Sequence, residues 1–287
     1  MRSKVRQLRE IQRRIIKKIY PSGKMAKITR TLPVNLPKSY PRVSEPFIMT
    51  LGGIGDLIIS IAASLSMGKI KILAAGHNNL HDIFYKFAEC FSIPCECINM
   101  NEFEEYSKCL NCKSICHLPP GRNYADWRSN WEKYRYVSQY YSFKDMFEKI
   151  ELDFPIIVIQ PASAKNRKLD LEDYHGFIYK FITTHHIFAI GLPWQREIYN
   201  INDPHFHWLT FENEYCQQQI KENSIRRMLS IIGSSEAIFG IDSWLKTYGC
   251  YAEKSTTCFS CFTPQSDIFT NPGIWNTLQL KDIKDFI

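Results

Sequence analysis

One carboxylate of the chain stands in a setting that favours chemistry. Asp56 follows three glycines that lie within four positions, Gly52, Gly53 and Gly55, and an apolar run from residue 47 precedes them. The run predicts a buried strand, and the small and apolar residues over 58–67 predict a helix. Glycines let the backbone turn sharply and let another group approach it closely. Because ligands bind at the carboxyl ends of strands in open α/β sheets, Asp56 is a candidate general base.

The second half of the chain alternates predicted strands with predicted helices. Its elements are strands over 155–160, 186–191 and 237–241 and helices over 170–182 and 224–232. Asp170 is placed to cap the first of these helices. Strands that alternate with helices indicate a parallel sheet with helices on both faces. Together with the strand, glycine turn and helix of the first half, this pattern predicts two α/β halves with a cleft between them.

Four short segments follow one another along the chain. They are Gly53-x-Gly55-Asp56, Ile159-Gln160-Pro161-Ala162-Ser163 with Lys168 in the next loop, Ile190-Gly191-Leu192-Pro193 with Glu197 shortly after, and Gly240-Ile241-Asp242-Ser243-x-Leu245. In order and spacing they resemble the heptosyltransferase-type glycosyltransferases, a GT-B family that uses nucleotide-diphosphate sugars. The resemblance implies an α/β fold of the GT-B type, in which two Rossmann-like domains face each other across a cleft.

The resemblance also implies a reaction and the residues for it. A sugar would move from a nucleotide-diphosphate donor to a hydroxyl group, with inversion at the anomeric carbon and without a cofactor. A sugar hydroxyl is a weak nucleophile near neutral pH, so Asp56 would take its proton, and Lys168 would stabilise the leaving diphosphate. The donor-binding residues would be Gly53, Gly55, Ser163, Ala164, Gly191, Glu197, Asp242, Ser243 and Lys246.

The chain departs from the family pattern in two places. The family usually places a His after the Asp-Ser-Gly-Leu turn, whereas this chain continues as Asp242-Ser243-Trp244-Leu245-Lys246-Thr247. A basic or hydroxyl group there can still meet a phosphate. The first half is also short, which predicts a reduced acceptor side.

Positive charge is concentrated at the amino terminus. Residues 1–45 carry thirteen Lys and Arg against two acids, a net charge of +11 in a chain whose total is +7, so the rest is at −4. Apolar residues recur there at helical spacing as far as Pro21, and a Pro- and Lys-rich stretch follows. The segment predicts a basic helical arm that binds a polyanion, either an anionic membrane surface or nucleic acid. A solvated helix packed on the body is the alternative.

The length of 287 residues suits two domains after this arm. The expected boundaries are 1–45 for the basic arm and linker, 46–150 for an acceptor domain and 151–287 for a nucleotide-sugar-binding domain. The last expected element is a helix over 280–287 that packs back on the first domain.

The sequence predicts a cytoplasmic location, peripheral to the inner face of the membrane. No apolar run approaches the ~20 residues that cross a bilayer, and the amino terminus lacks the apolar core of a secretory signal. The ten cysteines are therefore expected to be reduced thiols.

A group of closely spaced cysteines has the spacing of a metal knuckle. Cys109, Cys112 and Cys116 could supply three ligands of a structural zinc site, with Cys95 or Cys97 as the fourth. The alternative, which the sequence favours, is a set of ordinary reduced thiols.

Three functions stay open on the sequence alone. The first is a glycosyltransferase that acts on a surface-glycan or lipid-linked acceptor, with its basic arm on a membrane. The second is an enzyme, for example a viral one, that glycosylates a hydroxylated DNA base while the arm holds the DNA. The third is a non-catalytic GT-B protein that only binds its ligand.

Overall fold

The computed structural model describes residues 47–51, 53–66, 68–76, 78–99, 115–117, 141–163, 167–211, 224–259 and 277–287. The chain divides into two compact units, Met1–Pro41 and Arg42–Ile287, and every described element belongs to the second. The basic arm predicted over 1–45 lies outside the described residues, and so do Gly52, Cys109, Cys112 and Ala164. The domain boundaries expected from the sequence stay predictions.

The first sheet has four parallel strands in the spatial order β3-β2-β1-β4. These are β1 (Phe47–Leu51), β2 (Lys71–Gly76), β3 (Cys95–Asn99) and β4 (Ile115–His117). Helix α1 (Ile54–Ser66) follows β1, and helix α2 (Asn78–Cys90) follows β2. Helix α1 begins earlier than the sequence predicts, so Asp56 lies within its first turn.

The second sheet has six parallel strands in the order β10-β9-β8-β5-β6-β7. They are β5 (Ile156–Gln160), β6 (His186–Ile190), β7 (Phe206–Leu209), β8 (Ala237–Gly240), β9 (Ser255–Phe259) and β10 (Leu278–Lys281). The helices that belong to it are α3 (Leu171–Phe181), α4 (Pro193–Tyr199), α5 (Ser224–Ser234) and α6 (Trp244–Tyr251). Every residue of β5 and β6 is buried, as expected for parallel strands covered on both faces.

The second half matches the predicted alternation of strands and helices. Asp170 caps α3 as expected, because its carboxylate accepts a hydrogen bond from the Glu172 N–H at 3.0 Å. Three predicted strands appear as β5, β6 and β8, and the two predicted helices appear as α3 and α5. The prediction of an α/β fold with parallel sheets is confirmed.

One hydrophobic core joins the two sheets. It combines the buried faces of α1 and α2 with those of α5 and α6 and one side of the second sheet. Helix α1 contacts α6, and α2 contacts α5. A second cluster covers the other side of the second sheet beneath α3. Elements from distant parts of the sequence are therefore held in fixed positions around a common core.

The prediction of a helix over 280–287 is wrong. The segment from Leu278 to Lys281 forms β10, which pairs in parallel with β9, and one turn of 3-10 helix follows at Ile283–Phe286. Asp282 separates the two, because its carboxylate accepts a hydrogen bond from the Lys284 N–H at 3.1 Å. The turn packs on α3 of the second sheet instead of on the first half.

Within the ranges that the structure describes, no helix combines the length and the apolar character that crossing a bilayer requires.

Candidate functional site

The turn that carries Asp56 connects β1 to α1. The backbone N–H of Gly53 donates to Asp56 Oδ2 at 2.9 Å, so the carboxylate caps the first turn of the helix. An acid in this position also interacts favourably with the positive end of the helix dipole. The side chain of Asp56 is half-buried, and its carboxylate is held in place by backbone on its own turn.

Gly55 brings this turn against the second sheet's elements. A Cβ built on Gly55 would lie 3.6 Å from Trp244 Cα and 3.7 Å from Thr247 Oγ1, both in the first turn of α6. A Cβ on Gly53 would meet nothing within 4 Å. The Asp56 turn and the first turn of α6 are thus neighbours at Gly55.

A network of charges is centred on Asp242, which lies in the loop that precedes α6. Arg167 Nη1 donates to Asp242 Oδ2 at 2.7 Å and to the Asp242 carbonyl oxygen at 3.0 Å. Lys246 Nζ donates to the other carboxylate oxygen, Oδ1, of Asp242. The Lys246 side chain is only 4% exposed. Two cations therefore share one carboxylate, and the three side chains together carry one net positive charge.

Hydrogen bonds fix this loop to the end of β5. Ser243 Oγ donates to Gln160 Oε1, and Gln160 Nε2 donates to the Ala162 carbonyl oxygen at 3.3 Å. The backbone of β8 also approaches β5 closely, since a Cβ on Gly240 would lie 2.8 Å from the Gln160 carbonyl oxygen. The loops after β5 and β8 are consequently tied together at the carboxyl ends of two adjacent strands, where parallel sheets bind ligands.

The loop after β5 carries two adjacent cations in different settings. Ser163 N–H donates to the Arg167 carbonyl oxygen at 2.8 Å, and Ala162 pairs with Lys168 in an isolated bridge. Arg167 is the residue that contacts Asp242, whereas Lys168 is exposed to solvent. Sequence reasoning did not single out Arg167 or Gln160 as site residues, although Gln160 is part of a quoted segment and Arg167 adjoins Lys168.

Of the two predicted donor-binding residues near β6, one is buried by packing and the other is exposed to solvent. A Cβ on Gly191 would lie 2.5 Å from Trp208 Cζ2 and 2.6 Å from Gln195 Oε1, so packing alone requires a glycine there. Gln195 Oε1 in turn accepts from the Leu192 N–H at 2.8 Å. Glu197 is exposed on α4. Because β6 is the neighbour of β5 in a parallel sheet, these residues lie at the same carboxyl end of the sheet as Ser163 and Asp242.

The zinc site expected from the cysteines cannot combine Cys116 with Cys95 or Cys97. Cys116 in β4 pairs with Met49, which pairs with Leu73, which pairs with Glu96 in β3. Three strand spacings put about 14 Å between the two backbones, whereas two thiolates on one zinc lie within about 5 Å of each other. Among the described residues, no group of three or more His, Cys, Asp or Glu is arranged to hold a metal ion.

Comparison with known proteins gives a likeness in structure only. No protein-family model matches the chain, and no curated protein matches it significantly. A solved structure of a family 9 glycosyl transferase from Veillonella parvula DSM 2008 matches with a TM-score of 0.52 and 9% identity, over 86% of this chain and 88% of that chain.

Two further structures match over similar lengths. UDP-GlcNAc 2-epimerase from Neisseria meningitidis, bound to UDP-GlcNAc, has a TM-score of 0.50 and 9% identity, over 84% of this chain and 89% of that chain. ADP-heptose lps heptosyltransferase II from E. coli has a TM-score of 0.48 and 11% identity, over 82% and 89%.

Identities this low establish the fold alone. The predicted GT-B fold, and the resemblance to heptosyltransferase-type proteins as a resemblance of fold, are confirmed. The assignment of individual site residues stays a prediction.

Proposed function

We propose that this protein is a glycosyltransferase that moves a sugar from a nucleotide-diphosphate donor to a hydroxyl group. The observation that carries the proposal is the contact of Gly55 with Trp244 and Thr247 in the first turn of α6. This contact brings the turn that holds Asp56 beside the start of α6, where Arg167 and Lys246 both contact Asp242. A candidate base and a cationic site for a leaving group are thus neighbours, and such positioning can supply much of a rate enhancement.

Asp56 is the proposed general base. A sugar hydroxyl needs to lose its proton as it attacks, and a carboxylate within hydrogen-bond reach can accept that proton. The hydrogen bond from Gly53 N–H to Asp56 Oδ2 holds the carboxylate in the turn that follows the carboxyl end of β1. The hydroxyl oxygen would form its new bond to the anomeric carbon while the bond from that carbon to the diphosphate oxygen breaks.

The charge network and α6 are the proposed site for the leaving diphosphate. Lys246 is buried, so its charge is screened less than that of a surface lysine. Backbone N–H groups at the start of α6 add the favourable end of a helix dipole. Lys168, which is exposed in the loop after β5, can reach a bound phosphate without breaking an ion pair. These groups would stabilise negative charge as it develops on the leaving group.

A single displacement with inversion at the anomeric carbon is the proposed course. Asp56 is the proposed base, and Asp242 is already engaged by two cations. With one base and one leaving-group site, direct attack by the acceptor requires no covalent sugar–enzyme intermediate. The nucleotide sugar is a co-substrate, and the proposed reaction uses no other cofactor.

The acceptor is proposed to be a surface-glycan or lipid-linked molecule. Residues 1–45 carry a net charge of +11, which suits an anionic membrane surface at which a lipid-linked acceptor resides. The corresponding location is cytoplasmic and peripheral to the inner face of the membrane. The same charge also favours a second candidate function, glycosylation of a hydroxylated base in DNA, because a basic arm suits phosphate backbones.

The first experiment is a thermal-shift screen of the full chain against nucleotide-diphosphate sugars, since a ligand that binds only the folded state raises its melting temperature. The donor that gives a shift is then incubated with glycan, lipid-linked and hydroxymethylated-DNA acceptors, and transfer is followed by mass spectrometry. We expect a concentration-dependent shift with one donor class and transfer to one acceptor class.

Matched variants separate the possible outcomes. Arg167→Ala should reduce the donor-induced shift, and Lys180→Ala, which removes an exposed cation from α3, should not. A donor shift without transfer to any acceptor would favour the non-catalytic GT-B protein. No shift with any nucleotide sugar would contradict the proposal as a whole.

A further inference from the structure

Ser243 stands at the N-cap of α6, but its hydroxyl group does not cap the helix. At this position a serine oxygen usually accepts a hydrogen bond from an N–H group of the first turn. The Ser243 backbone does act as an N-cap, because its carbonyl oxygen accepts from the Thr247 N–H at 3.4 Å. Since both the backbone and the residue type suit a cap, a partner elsewhere must hold the hydroxyl group.

That partner is Gln160, the last residue of β5. Ser243 Oγ donates to Gln160 Oε1, and Gln160 Nε2 donates to the Ala162 carbonyl oxygen at 3.3 Å. A carbonyl oxygen can only accept, so Ala162 fixes which end of the amide faces it and turns Oε1 towards Ser243. Gln160 is only 5% exposed, so the amide is held in a buried position.

The pairing of β5 with β8 places the amide beside the loop that leads into α6. Gln160 pairs with Gly240 in this parallel ladder, and Ser243 lies shortly after Gly240 in the chain. A Cβ on Gly240 would lie 2.8 Å from the Gln160 carbonyl oxygen and 3.1 Å from its backbone nitrogen. The two backbones therefore approach closely, and the Gln160 side chain reaches Ser243.

A hydroxyl group turned towards Gln160 leaves the amino end of α6 to another acceptor. The first-turn N–H groups of a helix carry partial positive charge and bind phosphate oxygens. The Arg167–Asp242–Lys246 network, with its net positive charge, lies at the same turn, so the acceptor favoured there is an anion. A hydroxyl group that capped the helix would have to be displaced before a phosphate could bind.

We propose that Gln160 is a positioning residue for the donor. It holds the Ser243 hydroxyl group away from the amino end of α6, so that the diphosphate accepts the hydrogen bonds that the hydroxyl oxygen would otherwise accept. This role rests on the proposed function, and Gln160 acts through Ser243 without touching the diphosphate. The alternative role of Gln160 is only to tie the loops after β5 and β8 together, and in that case Ser243 would not compete with the diphosphate.

The test measures the affinities of ADP, UDP, GDP and dTDP for the full chain by calorimetric titration. Gln160→Met has a side chain of similar size that cannot hold the Ser243 hydroxyl group, which is then free to cap α6. We expect this variant to bind the nucleoside diphosphate about fivefold more weakly, the equivalent of one N-cap hydrogen bond. In Gln160→Met/Ser243→Ala no hydroxyl group competes for the helix, so the affinity should return to within about twofold of that of the wild type. A loop tie alone cannot produce a gain in affinity when a second side chain is removed.

Circular dichroism melts check that the variants are folded. If Gln160→Met does not fold, Gln160→Asn takes its place in both variants, because it keeps an amide but is one methylene shorter and cannot hold Ser243 in the same position. A double variant that binds as weakly as the single variant, or a single variant that binds as tightly as the wild type, would overturn the role of Gln160 and leave the proposed function standing. A wild-type chain that binds none of the four nucleotides would contradict both.

Discussion

At the scale of single residues, the carboxylate of Asp56 is held by the backbone that it caps. Gly53 N–H donates to one of its oxygens at 2.9 Å, and Gly55 keeps the turn in contact with α6. A helix cap needs a hydrogen-bond acceptor, which an amide can also provide. A general base needs a group that can take up a proton, which an amide cannot do. The two roles can therefore be separated by one substitution.

Asp56→Asn should preserve the fold and donor binding but remove turnover. The expected loss of rate is about 10²–10⁴-fold, the usual contribution of a positioned base. The melting temperature should change little, because the Asn oxygen can still accept from Gly53 N–H. The measurement is sugar transfer from the identified donor beside a thermal melt. Asp56→Ala is the control, since it should lose the cap as well, at a cost of about 1 kcal/mol. Near wild-type turnover in the Asn variant would remove Asp56 from the mechanism.

The two neighbouring cations of the β5 loop should contribute differently to donor binding. Lys168→Ala should weaken binding of a nucleotide diphosphate by about 1.5–3 kcal/mol, the range for a hydrogen bond to a charged group. Arg167→Ala should weaken binding and also lower stability, because it leaves Asp242 with Lys246 alone. Calorimetric titration and thermal melts of both variants measure this. An affinity unchanged in Lys168→Ala would show that the diphosphate lies elsewhere.

The difference between Arg167 and Lys168 marks how far the sequence can place a site. Asp242 and Ser243 come just after a strand and Asp56 comes after the glycine turn that follows another, so predicted strand ends locate all three. Which of two adjacent cations meets Asp242 depends on the path of their loop, and that path is set by the Ala162–Lys168 bridge and the Ser163–Arg167 hydrogen bond. These contacts lie within one loop and leave no periodic pattern in the sequence from which they could be predicted.

At the scale of elements, the turn from β6 into α4 is built around a glycine that packing requires. Gly191→Ala should destabilise the protein by about 1–3 kcal/mol, the cost of overpacking a filled core, because the new Cβ would lie 2.5 Å from Trp208. Gly233→Ala is the matched control on α5, where a Cβ meets nothing within 4 Å, and it should stabilise by about 0.5–1 kcal/mol. Urea denaturation of both variants measures the difference. Equal effects would contradict the packing role of Gly191.

The amino-terminal ends of β6 and β7 carry a cluster of histidines. His186 Nε2 lies 2.6 Å from Asp153 Oδ1, and His186 Nδ1 lies 3.2 Å from His207 Nε2. The His186 ring is also 4.9 Å from that of His205, and His207 stacks on Phe188 at 4.5 Å. Burial, and then the neighbouring His186 and His205, lower the pKa of His207.

This cluster should make the protein less stable in mild acid. An unfolded His binds a proton near pH 6.5, whereas folded His207 binds one only at lower pH. The unfolded state therefore gains protons first, and stability falls as the pH drops from about 6.5 towards the folded pKa. His207→Phe should keep the stacking on Phe188 and flatten this dependence. Thermal melts between pH 7.5 and 5 test it, and parallel curves for the variant and the wild type would refute it.

The strands and helices that the sequence predicts are found except at the carboxyl terminus, whereas the sequence does not predict β2, β3, β4, β7 and β9. Buried parallel strands such as β5 and β6 are continuous apolar runs, and Asp170 is a recognisable N-cap for α3. These features are sufficient to predict the two strands and the helix from the sequence. The residues of β10 are mostly exposed, and their strand exists because β9 offers an edge for pairing. Leu278 and Leu280 alternate with Gln279 and Lys281, but four residues are too few to distinguish a strand from the start of a helix.

At the scale of the whole molecule, the two sheets share a core instead of meeting only at a surface. Trp244 at the start of α6 packs against Phe87 of α2 at 5.7 Å and against Phe211 after β7 at 5.3 Å. In the Asp-Ser-Gly-Leu turn of the heptosyltransferase-type pattern the third residue is glycine, whereas this chain has the aromatic ring of Trp244, which contacts a helix of the first half. The contact fixes α6, and with it the charge network, relative to the turn that holds Asp56.

Charge is the other property that belongs to the whole chain. The segment 1–45 is at +11 and the remainder is at −4, so the two parts should interact with polyanions in opposite ways. Deletion of residues 1–45 should leave the fold of the body unchanged by circular dichroism, because the described strands and cores begin at Phe47. The same deletion should abolish binding to DNA and to anionic vesicles.

The relative affinities for DNA and for anionic vesicles at physiological salt then identify which polyanion the arm binds. Phosphate contacts release counterions, so the affinity of the full chain for DNA should fall steeply as salt rises from 50 to 200 mM. Vesicles that contain anionic lipid should show a similar loss, and neutral vesicles should not bind at any salt concentration. Tighter binding to vesicles than to DNA at physiological salt would favour the lipid-linked acceptor, and the reverse would favour the DNA base. If the truncated protein bound both as tightly as the full chain, the arm would be no more than a helix packed on the body.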